Sequence, residues 1–139
     1  MISLIVGGNG KGKTKILLDQ ANEAIKESNG SIVYIDKNSK HMYELNNKVR
    51  LIDTSNLPLK NPDQFLGALC GVLSQDHDIE KVYLDDFNKI AKLEEDDLEK
   101  YLEECEGISD SFGVEFVIGI PVDKSALSEK FSAMVTVEC

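Results

Sequence analysis

Apolar residues along the chain come in short runs that alternate with amphipathic stretches. Ile2–Val6 (ISLIV) is a compact apolar run that stops at glycine, the pattern of a strand buried on both faces. From Lys13 the period changes. Ile16, Leu17, Gln20, Ala21, Ala24 and Ile25 fall on one helical face, and Asn29-Gly30 supplies a stop. Ser31–Asp36 (SIVYID) predicts a second strand, followed by a short helix from about Ser39 to Asn46 and a short strand at Val49–Asp53. Asn61-Pro62-Asp63-Gln64 predicts a helix start, with Asn61 as cap, Pro62 at the first position and Gln64 completing a capping box. The stripe Phe65, Leu66, Leu69, Cys70, Leu73 carries that helix to about Gln75. Glu80–Asp85 (EKVYLD) predicts the next strand. Leu93 to Glu106 predicts an acidic amphipathic helix that buries Leu98, Tyr101, Leu102 and Cys105. Gly113–Gly119 (GVEFVIG) predicts a strand, Lys124–Phe131 a short helix, and Ala133–Val137 a last strand.

Strands alternating with helices predict an α/β fold of three layers, a mostly parallel sheet with helices on both faces, in one domain over residues 1–139. In such sheets ligands bind beyond the carboxyl ends of the strands. That rule selects the loops after Val6, Leu84 and Ile118, each containing Gly, Asp or Pro.

Composition narrows the partners. The 139 residues include 15 basic and 25 acidic side chains, a net charge of −10. This disfavours nucleic acid and anionic membrane surfaces, which need a basic face. The charge is uneven: residues 1–60 carry the net positive share, so an anionic ligand is drawn to the first half. Cys70, Cys105 and Cys139 lack metal or disulfide spacing and read as reduced thiols, which with no signal-like N-terminus predicts a cytoplasmic protein. No apolar run approaches bilayer length, so no membrane insertion is expected.

Gly7–Thr14, GGNGKGKT, carries the chemistry. It fits G-x-x-x-x-G-K-[ST] with Gly7, Gly12, Lys13 and Thr14 in place. By average residue usage this pattern arises by chance in about one chain in a hundred of this length or fewer. A phosphate chain needs a concave bed of backbone N–H groups, and the glycines permit the backbone to form it. The following helix aims its N-terminal amides and positive dipole end at the same anion. The expected nucleotide-binding set is Gly7, Gly8, Asn9, Gly10, Lys11, Gly12, Lys13, Thr14 and Lys15, with Lys13 reaching the β/γ-phosphates and Thr14 offering its hydroxyl to Mg²⁺.

The segment resembles the Walker A motif of P-loop NTPases. That resemblance implies a second motif, an apolar strand ending in an Asp that holds Mg²⁺, and Lys81–Asp86 (KVYLDD) matches with Asp85. In the RecA-like branch an extra strand lies between the two Walker strands, and Gly113–Gly119 fits that place. A Glu usually follows the Walker B Asp there and orients the attacking water. This chain has Asp86, one methylene shorter. The polar sensor expected on the extra strand has no counterpart in Ile118-Gly119-Ile120-Pro121. The chain also resembles small stand-alone bacterial P-loop proteins of the twitching-motility ATPase kind, through Gly7–Thr14, His41–Tyr43 and Asp85. The long pilus-retraction ATPases share only the loop, so this resemblance implies nucleotide binding and not motility.

Several alternatives lose support in the residues. Arg50 is the sole arginine, whereas nucleotide kinases resemble one another in clamping two phosphate chains with several. A guanine-reading N-K-x-D motif is missing, since Asn88-Lys89-Ile90-Ala91 lacks the Asp and comes too early. His41, and His77 between Asp76 and Asp78, read as surface turns. Glu94-Glu95-Asp96-Asp97 reads as the favourably charged N-terminus of a helix. Asp36–Tyr43 could touch a phosphate, a base or a partner, or form a capped surface helix.

The sequence therefore predicts ATP binding with slow Mg²⁺-dependent hydrolysis, with Lys13 and Asp86 as catalytic candidates and Thr14 and Asp85 as metal candidates. The alternative is a non-hydrolysing module whose nucleotide sets the loops after Asp36 and Asp85 for a protein partner.

Overall fold

Every strand pairing in the sheet is parallel. The computed structural model describes residues 1–139. Six strands, β1 (Ile2–Val6), β2 (Ser31–Asp36), β3 (Arg50–Asp53), β4 (Ile79–Leu84), β5 (Glu115–Ile120) and β6 (Val135–Glu138), lie in the order β3-β2-β4-β5-β1-β6. Five helices join them: α1 (Lys13–Glu27), α2 (Pro62–Gln75), α3 (Phe87–Ile90), α4 (Leu98–Phe112) and α5 (Glu129–Ser132). Helices cover both faces, giving three layers, and none is long and apolar enough to cross a membrane. Strand β5 stands between β1 and β4, the strands that lead into Gly7 and Asp85.

Alternation along each strand divides the core. Leu4, Val6, Val33, Ile35, Val82, Leu84, Phe116 and Ile118 turn to one face, where α2, α3, α4 and α5 complete a cluster of 23 buried residues. Ile5, Ile32, Tyr34, Tyr83 and Val117 turn to the other, where α1 supplies Leu17, Leu18 and Ala21. Asp36 and Asp85 continue the parity of Tyr34 and Tyr83, so both carboxylates emerge on the α1 side of the sheet's carboxyl edge.

Several elements depart from the periodicity. The expected helix at Ser39–Asn46 is a single 3₁₀ turn, Met42–Glu44. The acidic helix begins at Leu98, not Leu93: after a left-handed Lys92 (φ 57°) the Leu93 N–H donates back to Asn88 O, and a turn closed by Asp97 N–H on Glu94 O takes up the residues before it. Glu94–Asp97 therefore precede the helix, with Asp97 as its N-cap and Asp97 Oδ2 accepting from the Glu94 N–H at 3.0 Å. At the other end α4 runs past Glu106, because Ser109 buries its hydroxyl against Val114 O, and stops at Gly113. Gly113 is thus a helix stop and β5 starts at Glu115. The expected helix at Lys124–Phe131 splits into a 3₁₀ turn, Lys124–Ala126, and α5. Helix α1 ends on Ser28, and Gly30 serves a close approach instead. A Cβ there would come within 2.1 Å of Asp78 O. At α2, Asn61 caps Gln64 N as expected, while Gln64 Oε1 accepts from Lys60 N, one residue earlier than a capping box requires.

Candidate functional site

The loop between β1 and α1 is built by backbone geometry that only glycine adopts freely. Gly7, Gly10 and Gly12 have φ of 149°, 77° and 97°, and Gly12 turns the chain directly into α1. No side chain caps α1, so its first N–H groups are left for another acceptor. The Gly7 N–H donates to Val122 O at 3.0 Å, so the loop after β5 buttresses the glycine loop. That contact defines its role. Of the three loops expected to form the site, the one after β5 supports from behind, and the loop after β2 takes its place.

Lys13 is 8% exposed despite its charge. Its Nζ donates to Gly7 O at 2.6 Å and Gly8 O at 3.0 Å, which leaves one of three ammonium protons for another acceptor. Thr14 Oγ1 donates to Asp85 Oδ1 at 3.2 Å, joining residues 71 positions apart. Tyr34 Oη donates to Asp85 Oδ2 at 2.9 Å inside the protein. Each Asp85 oxygen thus has a hydroxyl donor, which fixes the carboxylate plane. Tyr34 and Tyr83 stack across β2 and β4 with ring centroids 6.3 Å apart. Burial first, and the Asp85 carboxylate second, push the Tyr34 hydroxyl far above the ordinary phenol value. Tyr34 therefore remains a proton donor across the working pH range.

Asp85 and Asp86 have opposite surroundings. Asp86 is left-handed (φ 59°, ψ 63°), as the chain turns from β4 into α3 across only Asp85 and Asp86. Its Oδ2 lies 3.3 Å from Lys37 Nζ and 4.0 Å from Lys89 Nζ. Asp36, at the end of β2, is 1% exposed. Its Oδ1 accepts from the Lys37 N–H at 2.7 Å, while its Oδ2 is buried without a partner. Burial and the neighbouring Asp85 raise its carboxyl above the ordinary range, against smaller lowering contributions from the Lys37 N–H and charge.

These groups surround an open pocket of about 440 Å³ with no hydrophobic lining residue. Asn9, Gly10, Gly12, Lys13 and Thr14 form one wall, and Lys37, Asp85, Asp86 and Lys89 the other. Of the remaining expected residues, Gly7 lies beneath the loop against Cys139, and Gly8 and Lys11 lie off the pocket wall. Lys15 faces a second hollow with His41 and Glu44 and pairs with Asp19 at 3.3 Å. The solitary Arg50 is at the opposite, amino edge of the sheet, paired with Asp76. The backbone N–H of Asp78 foremost, with Ser31 and Arg50 adding to it, holds the Asp76 carboxyl below its ordinary value against the opposing effect of burial. Tyr34, Asp36 and Lys89 were not singled out by their residue patterns, and Lys37 only as one of several polar residues in a loop. The readable signal was parity: in SIVYID the polar Tyr34 and Asp36 share one face of an otherwise apolar strand.

The donor set suits a hard cation. Thr14 and Asp85 offer oxygen only, and Mg²⁺ takes one or two protein oxygens while ligand phosphates and water fill its shell. No group of three or more His, Cys, Asp or Glu side chains forms a metal cluster of its own. The loop amides and the one buried ammonium, Lys13, suit a polyanion. No protein-family model and no curated protein matches the chain.

Proposed function

We propose that the chain binds a nucleoside triphosphate, ATP, together with Mg²⁺, and hydrolyses it slowly, as a minimal P-loop domain of the RecA-like type. The observation that carries this reading is the Thr14–Asp85 hydrogen bond. It brings the hydroxyl of the glycine-loop motif onto the carboxylate that ends a different strand. The placement of β5 between β1 and β4 supports the same reading.

In this reading the loop amides and the α1 N-terminus bind the phosphates, and Lys13 exchanges its carbonyl partners for phosphate oxygens. Thr14 and Asp85 hold Mg²⁺, with Tyr34 fixing the Asp85 carboxylate. The cation supplies charge neutralisation at the phosphoryl group. Turnover is slow because Asp86 stands where a glutamate usually orients the attacking water, and its carboxylate reaches one methylene less far. Asp36, with one oxygen unpaired beside Asp85, can hold a proton at the same edge.

Calorimetric titration with ATP, ADP and GTP, with and without Mg²⁺, tests the proposal, followed by phosphate release on the same sample. Adenine-nucleotide binding that needs Mg²⁺ is expected, with release abolished in Lys13→Ala. Release unchanged by that substitution would sink the enzymatic part.

The second reading, a nucleotide-set binding module, draws on the turn after β2. Met42 and Tyr43 are 46% and 92% exposed, five and six residues beyond Lys37 on the pocket wall. Tight binding without turnover, with hydrogen-exchange protection of residues 37–45 changing on ligation, distinguishes it.

A further inference from the structure

The pocket wall opposite the glycine loop contains cations that no motif accounts for. Lys37 Nζ and Lys89 Nζ both line it. They come from different elements, the loop after β2 and helix α3, and converge on one oxygen, Asp86 Oδ2. Asp86 is 12% exposed at its side chain, so the lysines are its main compensation. The lysines themselves are 38% and 63% exposed and have the reach and freedom to move.

We propose that Asp86 is a resting counter-ion for a two-lysine clamp, and that the terminal phosphate of a triphosphate takes Lys37 and Lys89 from it. The inference rests on the nucleotide-binding reading above and extends it to how the site tells a triphosphate from a diphosphate. A phosphate chain seated on the loop amides and Lys13 has its inner phosphates at that wall. Its outer end points across the pocket toward Lys37 and Lys89. A terminal phosphate offers more charge and more acceptor oxygens than one carboxylate, so the exchange favours the ligand. A diphosphate lacks that third group and leaves the lysines on Asp86. This gives Asp86 a role in ligand selection and explains how a chain with one arginine, placed at the far edge, recognises a third phosphate.

Isothermal titration of the full chain with MgATP and MgADP tests this, on wild type, Lys37→Ala/Lys89→Ala and Asp86→Asn. The double lysine variant should lose about ten- to a hundredfold in ATP affinity, and less than about threefold for ADP. Asp86→Asn should raise ATP affinity by about three- to tenfold, since its lysines are no longer competed for. Unfolding curves on each variant establish that the exposed lysine substitutions leave the fold intact. Equal losses for ATP and ADP, or no loss for either, would overturn the clamp and leave nucleotide binding standing. Wild type that binds neither nucleotide overturns both.

Discussion

The two faces of the sheet use the same strands for different ends. On the side of α2, α3, α4 and α5, strand after strand presents aliphatic and aromatic groups, and the 23 buried residues there form the larger core. On the α1 side the cluster has 10 buried residues, and two of them are tyrosines whose hydroxyls are engaged. Toward the carboxyl edge that face turns from apolar to acidic, through Asp36 and Asp85. One face is specified by packing, where lost volume is felt as lost stability. The other is specified by hydrogen bonds and charge, where a one-atom change alters the site before it alters the fold.

Substitutions that separate the two faces test this division. The largest effect belongs to the packed face. Phe116, fully buried on central strand β5, should lose about 3–5 kcal/mol on replacement by Ala. Urea unfolding measures this, and a loss under 1 kcal/mol would mean that the face collapses around the cavity. The proposed Mg²⁺-dependent nucleotide binding should persist in the folded fraction, because Phe116 turns to the face away from Asp85.

Tyr34→Phe comes next and acts on the other face. It removes one hydroxyl from a buried carboxylate while keeping the ring stack with Tyr83. A stability loss of about 1.5–3 kcal/mol is expected from the lost bond to a charged group. The distinguishing sign is a rise in the Mg²⁺ concentration needed for half-maximal nucleotide binding, as the Asp85 plane is released. An unchanged Mg²⁺ dependence would reduce Tyr34 to a packing residue.

The smallest effect is a gain. Folding raises the Asp36 carboxyl, so the folded chain holds that proton more tightly than the unfolded one. Its contribution to stability is present below the ordinary carboxylate range, about pH 4, and is lost as pH rises through the raised folded value. Asp36→Asn should match wild type in acid and exceed it by about 1 kcal/mol near neutrality. Unfolding curves at several pH values read this directly, and a difference that does not vary with pH would place the cause elsewhere.

Local pattern was enough where one element's own residues decide it. β1, β2 and α2 have the expected bounds, because β1 stops at glycine, β2 stops at aspartate and α2 starts at a capped proline. It was not enough between Asp86 and Asp97. There α3 and a left-handed lysine stand where periodicity assigns no element, and a turn closed by Asp97 N–H on Glu94 O takes up the start of the expected helix. The same contrast holds at the site. Gly7–Thr14 could be read at once, since the residues of a loop that turns a strand into a helix are contiguous. Asp36 and Lys37 could be read only as part of a polar segment, Asp36–Tyr43, and the roles of Tyr34 and Lys89 not at all, because their significance depends on which strands are neighbours.

The sequence by itself determined the α/β alternation, the glycine loop with Lys13 and Thr14, and the acidic end of β4. Each is written in adjacent residues or in a short period. Only the tertiary structure decided that β5 separates β1 from β4, that Tyr34 and Thr14 share Asp85, and that two lysines meet on Asp86. Those relations are set by strand order and register, which arise from burying two unequal faces at once and which no local period encodes.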